Sequence, residues 1–152
     1  MTEPEPFETI ARRIIDENLY MTIGTADGSG VPWVSPVYYA PEEYSEFFWV
    51  SYPEARHSRN IEVRPQVSIV VFDSRTPINT GQAVYMAGLA RQVPDEDLDR
   101  GIDVFSRRSV AHGAAVWTTA DVVAPARLRL YRARVSEQFA LGPHDERVPI
   151  TL

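Results

Sequence analysis

Apolar residues recur along this chain with two different periods, and the changes of period divide it into elements. Over residues 6–18, Phe7, Ile10, Ala11, Ile14 and Ile15 share one side of a 3.6-residue repeat, with Glu8, Arg12, Arg13 and Asp16 on the others, which predicts an amphipathic helix. Residues 19–26 (LYMTIGTA) predict a strand. Asp27-Gly28-Ser29-Gly30 then predicts the turn of a hairpin, and residues 31–40 (VPWVSPVYYA) the returning strand. Two prolines in that strand predict a broken ladder at Ser35-Pro36, because proline has no N–H to donate. A polar loop over 41–46 leads to the aromatic run Phe47-Phe48-Trp49-Val50-Ser51, a buried strand.

Pro53 stops that strand and opens a short basic helix over residues 54–61, which must end before Pro65. Residues 66–73 and 83–93 predict two further strands joined by the loop SRTPINTG, with Gly88 at a bulge. Pro94 and the acidic run behind it start a helix that should reach about Arg108, burying Leu98, Ile102 and Phe105. Residues 111–124 read equally as helix or loop. Residues 127–141 predict a long strand with Leu128, Leu130, Ala133 and Val135 on one side and Arg127, Arg129 and Arg134 on the other. The tail GPHDERVPITL turns from polar to apolar and is expected to dock on a neighbour. The sum is a mainly β single domain over residues 1–152: a six-stranded antiparallel barrel, closed or nearly so, with two or three flanking helices.

Composition removes whole classes of function. A net charge of −6 argues against a nucleic-acid surface, and no apolar run approaches the roughly 20 residues of a membrane span. The stretch MTEPEPFETI lacks the basic and apolar regions of a signal peptide, so the cytoplasm is the expected location. The absence of cysteine excludes disulfides and thiolate metal sites. All fifteen basic residues are arginine, so lysine Schiff-base chemistry and a Walker-type phosphate loop are excluded as well. His57, His112 and His144 are not at metal-ligand spacing, and no metal site is expected.

Candidate chemistry concentrates where the aromatic strand meets the basic helix. Within seven residues lie the Ser51 hydroxyl, a helix N-terminus with unpaired amides, Arg56 and His57, donors that suit a phosphate monoester. On spacing alone, a solvated basic face is the preferred reading of the same residues. The glycines at 24, 28 and 30 lack nucleotide-loop spacing and lead into a strand rather than a helix.

The motifs DGSGVPWVSPVYY, FFWVSYPEARHSRNIEVRPQVSIVV, AVYMAGLARQV and PARLRLYRA, in this order, resemble the FMN-binding split barrel, the fold of pyridoxamine 5′-phosphate oxidase and its relatives. The resemblance spans most of the chain and reverses the reading of the basic helix. It implies a Greek-key split β-barrel that forms a homodimer with FMN at the interface. By position it implies that Val50 and Ser51 lie at the phosphate side of the flavin, that Arg56 binds the phosphate, and that His57 stands where many members carry lysine. It implies that backbone of Val34, Ser35, Pro36 and Val37 runs beside the isoalloxazine ring, that Gln82 reaches the flavin, and that Trp117 approaches the ring from the partner subunit. Asn60 matches a family asparagine with a structural role.

The departures are specific. Ser35 stands where vitamin B6 oxidases have arginine, Ala40 near their lysine, and Ala55 where a hydroxyl residue is usual; the run His144-Asp145-Glu146-Arg147 only faintly echoes their substrate-binding His and Arg. The expectation is an FMN-dependent oxidoreductase for a small organic substrate other than vitamin B6. The alternatives are a deazaflavin-dependent reductase and a flavin- or haem-binding protein without turnover. No catalytic acid or base is singled out, since a flavin carries the hydride chemistry itself.

Overall fold

The computed structural model describes residues 2–152. Its elements are α1 (Phe7–Glu17), β1 (Tyr20–Ala26), β2 (Pro32–Tyr38), β3 (Ala40–Glu42), β4 (Glu46–Ser51), α2 (Arg56–Val63), β5 (Gln66–Phe72), β6 (Ala83–Gln92), α3 (Asp95–Ala111), β7 (Arg129–Leu141) and β8 (Arg147–Pro149). The strands pair antiparallel in the order β2-β1-β5-β6-β7-β4-β3, with β8 added to β7. The six long strands are those the hydrophobic pattern predicts; β3 and β8 are three-residue additions.

Topology forces the sheet to curl. β2 and β3 lie at opposite ends of the hydrogen-bonded order, yet only Tyr39 separates them in the chain. The two ends must therefore approach each other, which makes a split barrel of the sheet. Tyr39 is fully buried at that seam and donates its hydroxyl to the Ile15 carbonyl at 2.5 Å, fastening α1 to the closure. The interior is filled by Met21, Ile23, Phe47, Trp49, Ile69 and Met86, with the Ala11–Ile14–Ile15 face of α1 packed against them. A second cluster outside β4 and β7, built on Phe48, Leu130, Leu98, Ile102 and Phe105, seats α3. Gly101 permits that seating: a Cβ there would lie 2.9 Å from Leu130 Cδ2 and Phe48 Cε1.

The Asp27–Gly30 hairpin forms as its sequence predicts. Asp27 Oδ1 accepts from the Ser29 and Val31 amides, and Gly30 takes φ +84°. The register of β6 on β7 shifts at Gly88, the predicted bulge.

Four expectations are corrected. The β1–β2 ladder is continuous across Ser35-Pro36, because β2 is an edge strand where a missing N–H costs nothing in pairing. α2 begins at Arg56 rather than 54, since Tyr52–Ala55 forms a turn closed by the Ala55 amide on the Tyr52 carbonyl. In β7, Leu130, Tyr131, Arg132 and Ala133 are all buried: the strand lies between the interior and α3, so both faces are covered. Arg132 is tolerated there because its Nη1 donates to Asp97 Oδ2 at 2.7 Å, and that bond holds the Asp97 carboxyl below the usual range. The tail docks on its own chain: β8 pairs with β7 and Ile150 enters the interior. Within the ambiguous 111–124 segment, α3 ends at Ala111, extended chain follows, and one 3₁₀ turn occupies Thr119–Val122.

Candidate functional site

The end of β4 and the start of α2 make a compact set of anion donors. Ser51 is buried as the last residue of β4, and its hydroxyl lies 2.7 Å from His57 Nε2 on the first turn of α2. The α2 N-terminus has no side-chain cap: Ala55 occupies the cap position, so the opening amides have no partner within the chain's own helix. Arg56 is exposed, and its guanidinium lies over the Trp33 ring at 4.2 Å from the centroid. That contact brings the edge strand β2 alongside the helix and holds the arginine at its mouth.

A buried relay fixes the arrangement. Asn60 Nδ2 donates to Thr25 Oγ1 at 3.1 Å, and Thr25 Oγ1 donates to the Trp33 carbonyl at 3.3 Å. One turn of α2 is thereby tied to β1 and through it to β2. This gives Asn60 the structural role expected of it, although it sits within α2 rather than at its end.

β2 is an edge, so Val34 to Val37 present one side of their backbone to no other strand among the described residues. Val34 is 65% exposed. The open backbone of β2, the Ser51–His57 pair, Arg56 and the free α2 amides thus adjoin one another. Their chemistry suits a phosphate followed by a flat polar ring: hydroxyl, guanidinium and amide donors at one end, unpaired backbone groups at the other. On that donor set, FMN fits the residues present.

Other expected residues are placed elsewhere. Gln82 lies just before β6, in the loop region facing Leu141–Asp145. Ser51 is opposite Arg129 at one end of β7 and Val84 is opposite Ala140 at the other, roughly 35 Å apart along the strand, so Gln82 is not part of the Ser51 cluster within one protomer. Trp117 is half-buried against Phe105, beside Val50 and Tyr38, on the α3 side of β4. Val50 and Ser51 alternate, so Trp117 and the anion donors occupy opposite faces of the same strand end. His144 is exposed in a 3₁₀ turn, and Arg147 bonds back to Asp145.

Residue reading from sequence missed Trp33, the Thr25 relay, and a hydrogen bond of 2.7 Å between the Tyr38 hydroxyl and His112 Nδ1. Trp33 had a usable signal: it shares parity with Ser35 on β2 and so faces the same side. Thr25 and His112 meet partners brought together only by the fold.

The electrostatics of His57 set its charge in the free protein. Half-burial pushes its pKa below the ordinary value, so in the free protein the ring is neutral at pH 7 and its hydrogen bond to Ser51 is between neutral groups. An adjacent phosphate has to draw a proton onto it. Affinity contributed by His57 is then full below the free-protein pKa and falls as pH rises through the pKa of the complex. The FMN phosphate titrates near pH 6 in the opposite sense, so the reference is the His57→Gln protein. The ratio of parent to variant affinity is expected to fall as pH rises from below to above the ordinary histidine value of about 6.5, by at most about tenfold per unit, in fluorescence titrations with FMN. A ratio constant across that range excludes a charged role for His57.

Fold and geometry together define a split-barrel protein with a cluster of anion donors at the β4–α2 junction. The family model described as pyridoxamine 5′-phosphate oxidase matches residues 7–141, and the chain belongs to that family. None of the curated proteins searched matches it. Among solved structures it is similar to HutZ, the haem storage protein from Vibrio cholerae, at 22% identity and TM-score 0.70 over 89% of this chain and 94% of that one. It is also similar to a haem-binding protein from Mycobacterium smegmatis (20%, TM-score 0.75, 99% of this chain and 60% of that one). Campylobacter jejuni ChuZ shows the same likeness (12%, TM-score 0.75, 99% and 61%). At these identities the likeness is one of fold. No helix among the described residues is long and apolar enough to cross a membrane.

Proposed function

We propose that this protein binds FMN and uses it as an oxidoreductase on a small organic molecule. The observation that carries the reading is the uncapped α2 N-terminus with Ser51, His57 and the Trp33-stacked Arg56 gathered at the open edge of β2. In it, Arg56 and the α2 amides hold the phosphate, Ser51 accepts or donates a further hydrogen bond, and β2 backbone from Val34 to Val37 lies along the ring. Bound FMN supplies the hydride or electron chemistry; the protein supplies orientation and shelter from water.

The cofactor site is read as an interface between two copies. Val34, Gly24, Ser68 and Ala87 lie in register across β2, β1, β5 and β6, a flat row of small residues, with Tyr20 60% and Leu89 57% exposed on the same sheet. An uncovered apolar sheet face of this kind suits a second copy of itself. It also gives Gln82, remote from Ser51 in its own chain, a route to the flavin of a partner.

A second reading, haem binding without turnover, draws on the haem proteins among the similar structures. It leaves the phosphate donors without a role. The visible spectrum of purified protein separates the two: a flavin band pattern is expected, and a Soret band with no flavin overturns the first reading. Bleaching of bound FMN by NADH or NADPH, measured by stopped flow, then separates an enzyme from a carrier.

A further inference from the structure

On the α3 side of β4 lies a cleft of about 460 Å³ that the phosphate cradle does not use. Tyr20, Tyr38, Val50, Phe105, His112 and Trp117 wall it. Phe105 stands edge-on to Tyr38 and to Trp117 with centroids 5.6 and 5.5 Å apart, and His112 stands edge-on to Tyr38 at 5.9 Å. Rings set edge to face in this way continue the pattern readily onto one more ring. The volume is of the size that holds small ligands.

Two polar features interrupt the apolar wall, and one of them, the Ser109 hydroxyl, is occupied by donating to the Ala115 carbonyl at 2.7 Å. The Tyr38 hydroxyl and His112 Nδ1 share a hydrogen bond of 2.7 Å, which leaves His112 Nε2 and one further site on the hydroxyl to meet a ligand. The wall carries no carboxylate and no guanidinium. Arg108 stands behind the wall rather than in it: it reaches Tyr38 as a hydrogen-bond partner and a charge and His112 as a charge, while its Nη2 is committed to the carbonyls of Ile15 and Asn18 and its guanidinium lies over Tyr39. Burial raises the Tyr38 pKa; burial first, then the charge of Arg108, lowers that of His112, so both are neutral at pH 7. With no charged residue in the wall and the Arg108 guanidinium already committed to backbone carbonyls, an uncharged ligand costs least to bury here.

We propose that this cleft binds a flat, uncharged aromatic molecule bearing one hydroxyl or carbonyl group, with its rings among Tyr20, Phe105 and Trp117 and its polar group on the Tyr38–His112 pair. The cleft lies across the sheet from the cofactor cradle: Val50 and Tyr38 wall it, while their neighbours Ser51 and Val37 face the other side. Its service as the substrate site rests on the flavin reading above; binding itself does not.

The test is equilibrium dialysis of the full-length protein against 1-naphthol, 1-naphthyl phosphate and naphthalene, with FMN binding measured on the same samples. Saturable, one-to-one binding of 1-naphthol is expected, with 1-naphthyl phosphate at least tenfold weaker. Tyr38→Phe keeps the ring and removes the hydroxyl: it should weaken 1-naphthol about three- to tenfold and leave naphthalene unchanged. Ala115→Trp, at an exposed position on the rim, should abolish binding of both by filling the cleft. The proposal is overturned if 1-naphthol does not saturate, if the phosphate binds as tightly, or if Ala115→Trp or Tyr38→Phe leaves 1-naphthol binding intact. Loss of FMN binding with 1-naphthol retained refutes the cofactor reading alone, and the reverse result refutes this site alone.

Discussion

Arg56→Ala is expected to weaken FMN binding about ten- to a hundredfold while leaving riboflavin binding unchanged. The arginine is exposed, so its loss costs little in folding, and its guanidinium is held over Trp33 at the mouth of the anion cradle. A charge-assisted hydrogen bond to phosphate contributes about 1.5–3 kcal/mol, and about 1.4 kcal/mol is tenfold in affinity. Riboflavin lacks the phosphate and should not register the change. Arg56→Lys should fall between the two, because a lysine keeps the charge and loses the planar fork that both stacks on Trp33 and pairs with two oxygens. Fluorescence titration with each flavin measures all of this.

Gly88→Ala should be the most damaging conservative change in the barrel. A Cβ at that position would lie 2.2 Å from the Arg134 carbonyl oxygen, a backbone atom that cannot swing aside. Gly88 sits where β6 shifts register against β7, the most extensive pairing in the sheet, so relief requires moving one of two central strands. Overpacking of this kind costs about 3 kcal/mol at the upper end. For a domain of this size that lowers Tm by roughly 6–12 °C. Gly81→Ala, where a Cβ meets nothing within 4 Å, is the control and should change stability by no more than about 0.5 kcal/mol. Differential scanning calorimetry of the pair decides the point; equal melting temperatures would mean the bulge adapts.

The chain announces its local features and conceals its long-range ones. Strand β4, the turn at Pro53, the Asp27–Gly30 hairpin and the Gly88 bulge follow from residue type and period within a few positions of each residue. The grouping of Ser51, Arg56 and His57 is legible for the same reason: they are near neighbours, so a strand running into a helix suffices to bring them together. The period of residues 127–141 places Arg127, Arg129 and Arg134 on an outer face and says nothing of Arg132. Its burial depends on Asp97, brought opposite by the seating of α3 on β7. Trp33 under Arg56 and Tyr38 beside His112 likewise depend on which strands become neighbours. The tail was sent to a neighbour because its apolar end has no local partner; β7, thirteen residues long, had spare edge to receive it. Gln82 shows the converse limit: nothing local ties it to Ser51, and the protomer places it at the other end of β7.

In the proposed function phosphate, rather than the flavin ring, is the anchor of the bound molecule. The direct measurement is a pair of titrations, FMN and riboflavin, into the same ligand-free protein, followed by quenching of flavin fluorescence. With Arg56 and at least one further donor on the phosphate, FMN should bind at least about a hundredfold more tightly than riboflavin. Equal affinities, or no binding of FMN at all, would contradict the account.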